Sequence, residues 1–168
     1  MISQKIVLIG DFSTGKTSLI RRFVDNQFDD KYLTTLGVKI SKKIVSKLDT
    51  IVQCLIWDIE GGTTAKPLNT TYLRGMHGAI VVADITREET INHIDLYISA
   101  VHSISEKTPI VIALNKSDKV DLKESVEILE KLKDQYKNRY NIFLTSAKSG
   151  LHVEDLFDVL VKDMIKSR

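Results

Sequence analysis

The segment Gly10-Asp-Phe-Ser-Thr-Gly-Lys-Thr17 sets glycines, a lysine and a terminal hydroxyl in an order suited to holding phosphate. It fits G-x-x-x-x-G-K-[ST], in which backbone N–H groups and a helix N-terminus converge on an anion. The loop residues Asp11, Phe12, Ser13, Thr14 and Gly15, with Ser18 just beyond, form the cradle. Lys16 reaches the outer phosphates, and Thr17 offers its hydroxyl to Mg²⁺. Farther along, Asn115-Lys-Ser-Asp118 brings a carboxylate that can accept two hydrogen bonds from guanine, whose N1–H and exocyclic amine lie side by side. Adenine has no N1–H and would leave that carboxylate unpaired, at a cost of ~1–3 kcal/mol or more for a charged group. Such a quartet also occurs in ordinary polar turns; behind a phosphate loop and a buried strand it gains specificity. Thr145-Ser-Ala-Lys148 can present a backbone N–H to the guanine carbonyl, and can cap the last helix as well. Trp57-Asp-Ile-Glu-Gly61 places an acid where it suits a magnesium site through water. Gly61 lets the backbone approach a terminal phosphate, and Thr34 and Thr35 offer a hydroxyl to the metal's remaining side.

Those residues need a scaffold that brings strand ends together. Ile6-Val-Leu-Ile9 is a continuous apolar run leading into the phosphate loop, and Leu19, Ile20, Phe23 and Val24 then follow a helical spacing. Alternation from Val38 to Ile44, a turn at Leu48-Asp-Thr50 and the strand Ile51–Asp58 predict an antiparallel hairpin. Strands are expected at Ala79–Ala83, Ile110–Leu114 and Ile142–Leu144, with helices over about Glu88–Ser105, Leu122–Tyr136 and His152–Ile165. A loop of short helical character fills the stretch after Gly62 to Arg74. Apolar strands alternating with helices imply an α/β fold whose sheet is covered on both faces, with ligands at the carboxyl ends of its strands.

Composition narrows the class. The chain has 168 residues, 43% hydrophobic and 27% charged, which suits one soluble globular domain over 1–168. With 24 basic against 22 acidic residues, no nucleic-acid partner is expected. The single Cys54 permits no disulfide within the chain and fits a reducing, cytoplasmic setting. The early first strand leaves no room for a signal peptide, and no apolar run reaches the ~20 residues of a membrane span. Lys39, Lys42, Lys43 and Lys47 read as protection of an edge strand in preference to a recognition face. His77, His93, His102 and His152 show no metal-ligand spacing.

Together these motifs resemble the small GTPases of the Ras superfamily, most closely the Rab branch, over essentially the whole chain. Gly10–Ser18, Thr35-Leu-Gly-Val38, Trp57–Gly61, Thr70-Thr-Tyr-Leu-Arg-Gly75, Asn115–Asp118 and Thr145–Lys148 carry the likeness. The resemblance implies a P-loop NTPase G domain: a mostly parallel six-stranded sheet with one antiparallel edge strand and helices on both faces. It implies GTP/GDP and Mg²⁺ as ligands, with Thr17 and Thr35 on the metal and Asp58 holding a metal-bound water. Lys16 would contact the β and γ phosphates, the Gly61 amide would sense the γ-phosphate, and Tyr32 would cover the phosphates. Phe28 would pack on guanine, with Asp118, Ser146, Ala147 and Lys148 around the base and Asn115 and Lys116 bracing the site. Segments 25–38 and 60–74 would be switches that bind effectors, an exchange factor and a GTPase-activating protein. Leu36, Val38 and Trp57 could form an apolar effector patch, with core packing a competing role for Val38 and Trp57.

The departures concern catalysis and membranes. The family usually carries glutamine after Gly61 to orient the attacking water; here Gly62 has no side chain for it. Glu60 stands where a small residue is usual, one backbone position away from rescuing that role. Phe12 replaces a small residue, and its ring either crowds the γ-phosphate side or points outward onto a switch loop. Slow intrinsic hydrolysis is therefore expected, with a partner able to supply glutamine and arginine in trans; a non-hydrolysing binding module is the alternative. A P-loop kinase or transport ATPase is disfavoured by Asn115–Asp118. The stretch Lys162–Arg168 contains no cysteine for prenylation, so this chain by itself does not support membrane attachment. Either a lipidated tail follows this domain in the natural protein, or the protein works without that anchor and meets membranes through partners.

Overall fold

β1 (Ile2–Ile9) runs through the middle of the sheet, and its residues divide the core by parity. Ile6 and Leu8 face one side while Val7 and Ile9 face the other, all fully buried. A computed structural model describes residues 1–31 and 34–168. Its strands are joined in the order β2-β3-β1-β4-β5-β6, where β2 is Val38–Lys47, β3 Thr50–Ile59, β4 Gly78–Asp84, β5 Ile110–Asn115 and β6 Asn141–Leu144. Every neighbouring pair is parallel except β2 with β3, whose register pairs Val38 with Ile59 and Lys47 with Thr50. The expected six-stranded sheet with one antiparallel edge is what forms.

Helices α1 (Lys16–Asp25) and α5 (Val153–Lys166) cover the Ile6/Leu8 face. There Phe23 and Phe157 stack face to face, ring centroids 3.9 Å apart. On the opposite face lie α2 (Glu88–Asn92), α3 (Ile94–Ile104) and α4 (Leu122–Gln135). The single helix expected over 88–105 is thus two. His93 ends one and begins the next: its N–H donates to the Glu89 carbonyl, and its own carbonyl accepts from Leu96. A 3₁₀ turn at Thr70–Leu73 supplies the short helical character expected before Arg74.

The β2 lysines are not one solvated row. Lys43 reaches Glu154 at 3.4 Å and lies over the Phe23 ring, and Lys47 pairs with Asp158 at 2.8 Å, so both tie the edge strand to α5. Lys39 and Lys42 are exposed and guard the edge. Val38 and Trp57 pack against the α3-side core, whereas Leu36 is 80% exposed. Among the described residues no helix is long and apolar enough to cross a membrane.

Candidate functional site

Gly15 turns the loop after β1 into α1. Its φ of +96° is left-handed, and a Cβ there would lie 2.3 Å from Asn115 Nδ2. Glycine is required by conformation and by space together. Among the described residues no side chain caps α1, and no acid stands in its first turn, unlike α4, where Asp121 accepts the Glu124 N–H at 2.9 Å. The positive end of α1 is therefore left to whatever occupies the cavity its first residues line.

Lys16 is only 6% exposed, and its ammonium donates to the carbonyls of Gly10 (3.2 Å) and Asp11 (3.0 Å). Burial pulls its pKa down to about 8, against the opposing pull of Asp58 and Asp11. Two residues from the end of β5 hold the loop in shape. Asn115 Nδ2 donates to the Thr14 carbonyl at 3.0 Å, and Lys116 Nζ donates to the Ser13 carbonyl at 2.8 Å while pairing with Asp84 at 2.9 Å. Asp118 Oδ1 accepts from the Ser146 hydroxyl at 2.8 Å, which fixes the carboxylate's orientation. Arg22 of α1 donates to the carbonyls of Ala147 (2.8 Å) and Lys148 (2.6 Å), drawing that turn to the same place.

A cavity of about 250 Å³ results. It is lined by Phe12, Ser13, Gly15, Lys16, Thr17 and Ser18 of the loop and α1, by Phe28, Thr35 and Gly61, and by Asn115, Lys116, Asp118, Ala147 and Lys148. Asp29, Asp30, Lys31 and Lys119 also line it, though no motif pointed to them. Thr14 and Ser146 are fully buried behind the wall. The side chain of Asp11, together with Gly62, belongs to a second, larger cavity of about 730 Å³ beside α3. Tyr32 lies outside the described residues.

Three oxygens converge at the rim. Thr17 Oγ1 lies 2.7 Å from Thr35 Oγ1 and donates to Asp58 Oδ2 at 2.5 Å, and Thr35 Oγ1 is 3.2 Å from the same Oδ2. Asp58 is 2% exposed, and its Oδ1 has no hydrogen-bond partner among the described residues. Burial raises its pKa, opposed by the Thr17 hydrogen bond and the Lys16 charge. A buried carboxylate with an orphaned oxygen and two hydroxyls alongside is a hard-oxygen set that fits Mg²⁺. Elsewhere among the described residues, no cluster of three or more His, Cys, Asp or Glu side chains is placed to hold a metal.

Glu60 is engaged with Gly37 and Lys66. Its N–H donates to the Gly37 carbonyl at 2.8 Å, its Oε2 accepts the Gly37 N–H at 3.1 Å, and Lys66 pairs with it at 3.1 Å. The Gly37 hydrogen bond and then Lys66 hold its carboxyl below the usual range. Gly61 packs directly on the phosphate loop: a Cβ there would sit 2.5 Å from Phe12 Cα. Phe12 itself is 41% exposed and lines both cavities, standing between them.

Sequence comparison agrees with this arrangement. Residues 5–166 match the family model described as the Ras family. The chain belongs to the Ras family, and its relatives are of the Rab type. It is 33% identical over 165 residues to the Ras-related protein Rab-1C of Dictyostelium discoideum, covering 97% of this chain and 81% of that one. Against the Ras-related protein Rab-1 of Theileria parva identity is 35% over 161 residues, with 94% and 72% covered. The GTP-binding protein yptV2 of Volvox carteri is 32% identical over 164 residues, with 96% and 75% covered.

Proposed function

We propose that this protein is a guanine-nucleotide switch, one G domain over 1–168, which binds GTP or GDP with Mg²⁺ and hydrolyses GTP slowly on its own. The observation that carries the reading is that one cavity is lined both by Lys16 and Thr17 and by Asp118 and Ala147. A triphosphate fits the cationic end and a base with adjacent donors fits the carboxylate end. Thr17 and Thr35 would hold Mg²⁺, with Asp58 holding a metal-bound water, and the ion would neutralise charge on the phosphates. Lys16 supplies a positioned charge from a site shielded from water, where it acts more strongly. Phe28, Ser146 and Lys148 complete the base end.

Slow hydrolysis follows from what stands after Gly61. Gly62 brings no side chain to orient water, and Glu60 is committed to Gly37 and Lys66. A partner inserting a glutamine and an arginine would complete the reaction; without one, the protein is a GTP-bound interaction module. Segments 25–38 and 60–74 act as the switches, and Glu60, linking Gly37 to Lys66, joins one to the other. Effectors, an exchange factor and an activating protein bind there, and the protein is cytoplasmic, meeting membranes through partners.

Competition against a fluorescent GDP tests the nucleotide assignment. GTP and GDP displace it at least roughly 100-fold more effectively than ATP, since the Asp118 contacts are lost with adenine. Equal displacement by ATP would reject the guanine assignment.

A further inference from the structure

Residue 62 lies where α3 grips the phosphate loop. Gly62 N–H donates to the Gly10 carbonyl at 3.2 Å, and Phe12 N–H donates to the Gly62 carbonyl at 3.0 Å. The chain leaving β3 is thereby stitched to the loop as a short parallel bridge pairing Asp11 with Gly62. The Asp11 carboxylate is held from the other side. Its Oδ1 accepts from the Tyr97 hydroxyl at 2.7 Å, and its Oδ2 lies 2.6 Å from His93 Nδ1. Arg87 donates to the Phe12 carbonyl at 2.6 Å. The turn at residues 11 and 12 is thus gripped by three side chains from around α2 and α3.

The hydroxyl of Tyr97 has a second consequence. A Cβ built on Gly62 falls 2.5 Å from Tyr97 Oη, while the next atom of that ring, Cζ, is at 3.5 Å. The first distance requires a shift and the second is ordinary contact, as is Leu68 N at 3.6 Å, so a single oxygen obstructs a Cβ at 62. Gly62 is not among the residues with positive φ, so its backbone alone would admit one. Nor does Tyr97 rotate away without cost. It is 7% exposed, and moving its hydroxyl strips Oδ1 of a partly buried carboxylate of its donor.

We propose that Tyr97 is a positioning residue which, through Asp11, locks the phosphate loop to the start of the 60–74 segment and restricts position 62 to glycine. This deepens the reading of the cavity as a nucleotide site and rests on it for its catalytic consequence. The missing side chain at 62 and the Tyr97–Asp11 bond are then one arrangement, and restoring glutamine alone does not restore hydrolysis.

A double-mutant cycle decides it. Gly62→Ala, Tyr97→Phe and the double variant are compared by thermal unfolding without nucleotide and by release of fluorescent GDP. With Tyr97 intact, Gly62→Ala speeds release at least roughly threefold more than it does in the Tyr97→Phe background, and its loss of melting temperature shrinks likewise once the hydroxyl is gone. Gly62→Gln hydrolyses GTP in single turnover within about threefold of the unmodified protein, and Gly62→Gln/Tyr97→Phe exceeds it by roughly tenfold or more. Additive effects in the alanine cycle, or equal hydrolysis with and without the tyrosine hydroxyl, overturn the proposal. The unfolding cycle needs no ligand, so failure to bind guanine nucleotide sinks the functional reading and leaves the Tyr97 question answerable.

Discussion

Lys16→Met is expected to weaken GDP and GTP binding by roughly 10²–10⁴-fold, the sum of two charge-assisted hydrogen bonds at ~1.5–3 kcal/mol each. Methionine preserves most of the packing of the lysine stem and removes its charge together with its hydrogen bonds to the Gly10 and Asp11 carbonyls. The unliganded protein should not lose stability, because Lys16 is 6% exposed and burial has already pulled its pKa down to about 8. A cation so placed costs the fold free energy until an anion meets it. Isothermal titration, alongside melting curves with and without GDP, separates the two effects. Lost affinity with an unchanged unliganded melting temperature is the expected pair. A large fall in unliganded stability would make Lys16 a structural residue instead.

Asp118→Asn is expected to weaken guanine nucleotide binding by roughly 10²–10³-fold while leaving the fold intact. The carboxylate offers two acceptors to the adjacent donors of guanine. An amide offers one acceptor and turns an N–H₂ toward the exocyclic amine, so one contact is lost and one becomes repulsive. Xanthine carries a carbonyl in place of that amine and matches the amide, so xanthine nucleotides should gain affinity in the variant. Ser146 holds Oδ1 at 2.8 Å and can bond either side chain, so orientation is preserved. Competition among guanosine, adenosine and xanthosine diphosphates reads this out directly. Unchanged guanine preference would remove Asp118 from base recognition.

What was legible from the chain was contiguous. Residues 10–17 and 115–118 are short runs whose chemistry lies within the run, and apolar strands before each placed them at one sheet edge. The sheet itself followed from strand and helix alternation, including the antiparallel hairpin of β2 and β3. What stayed hidden depends on contacts across long separations. Tyr97 and Asp11 are 86 positions apart, and Arg87 and Phe12 are 75 apart. On α3, Tyr97 reads simply as part of the buried face. His93 carried no metal spacing, and nothing local indicated that it would divide a helix and meet the phosphate loop. The sequence raised Glu60 as a rescue for the missing glutamine, and only its partner Gly37, 23 positions away, explains why it is engaged elsewhere. Lys43 and Lys47 follow the same rule: the sequence reads them as edge-strand protection, and the acids on α5 that receive them lie 111 positions away.

The most direct measurement loads the purified protein with GTP and Mg²⁺ and follows the appearance of GDP in a single turnover by chromatography. Stable retention of bound GTP over hours, with slow GDP formation, is the result this account predicts. Rapid hydrolysis by the isolated protein would contradict it, showing that the site orients water despite Gly62 and the engaged Glu60.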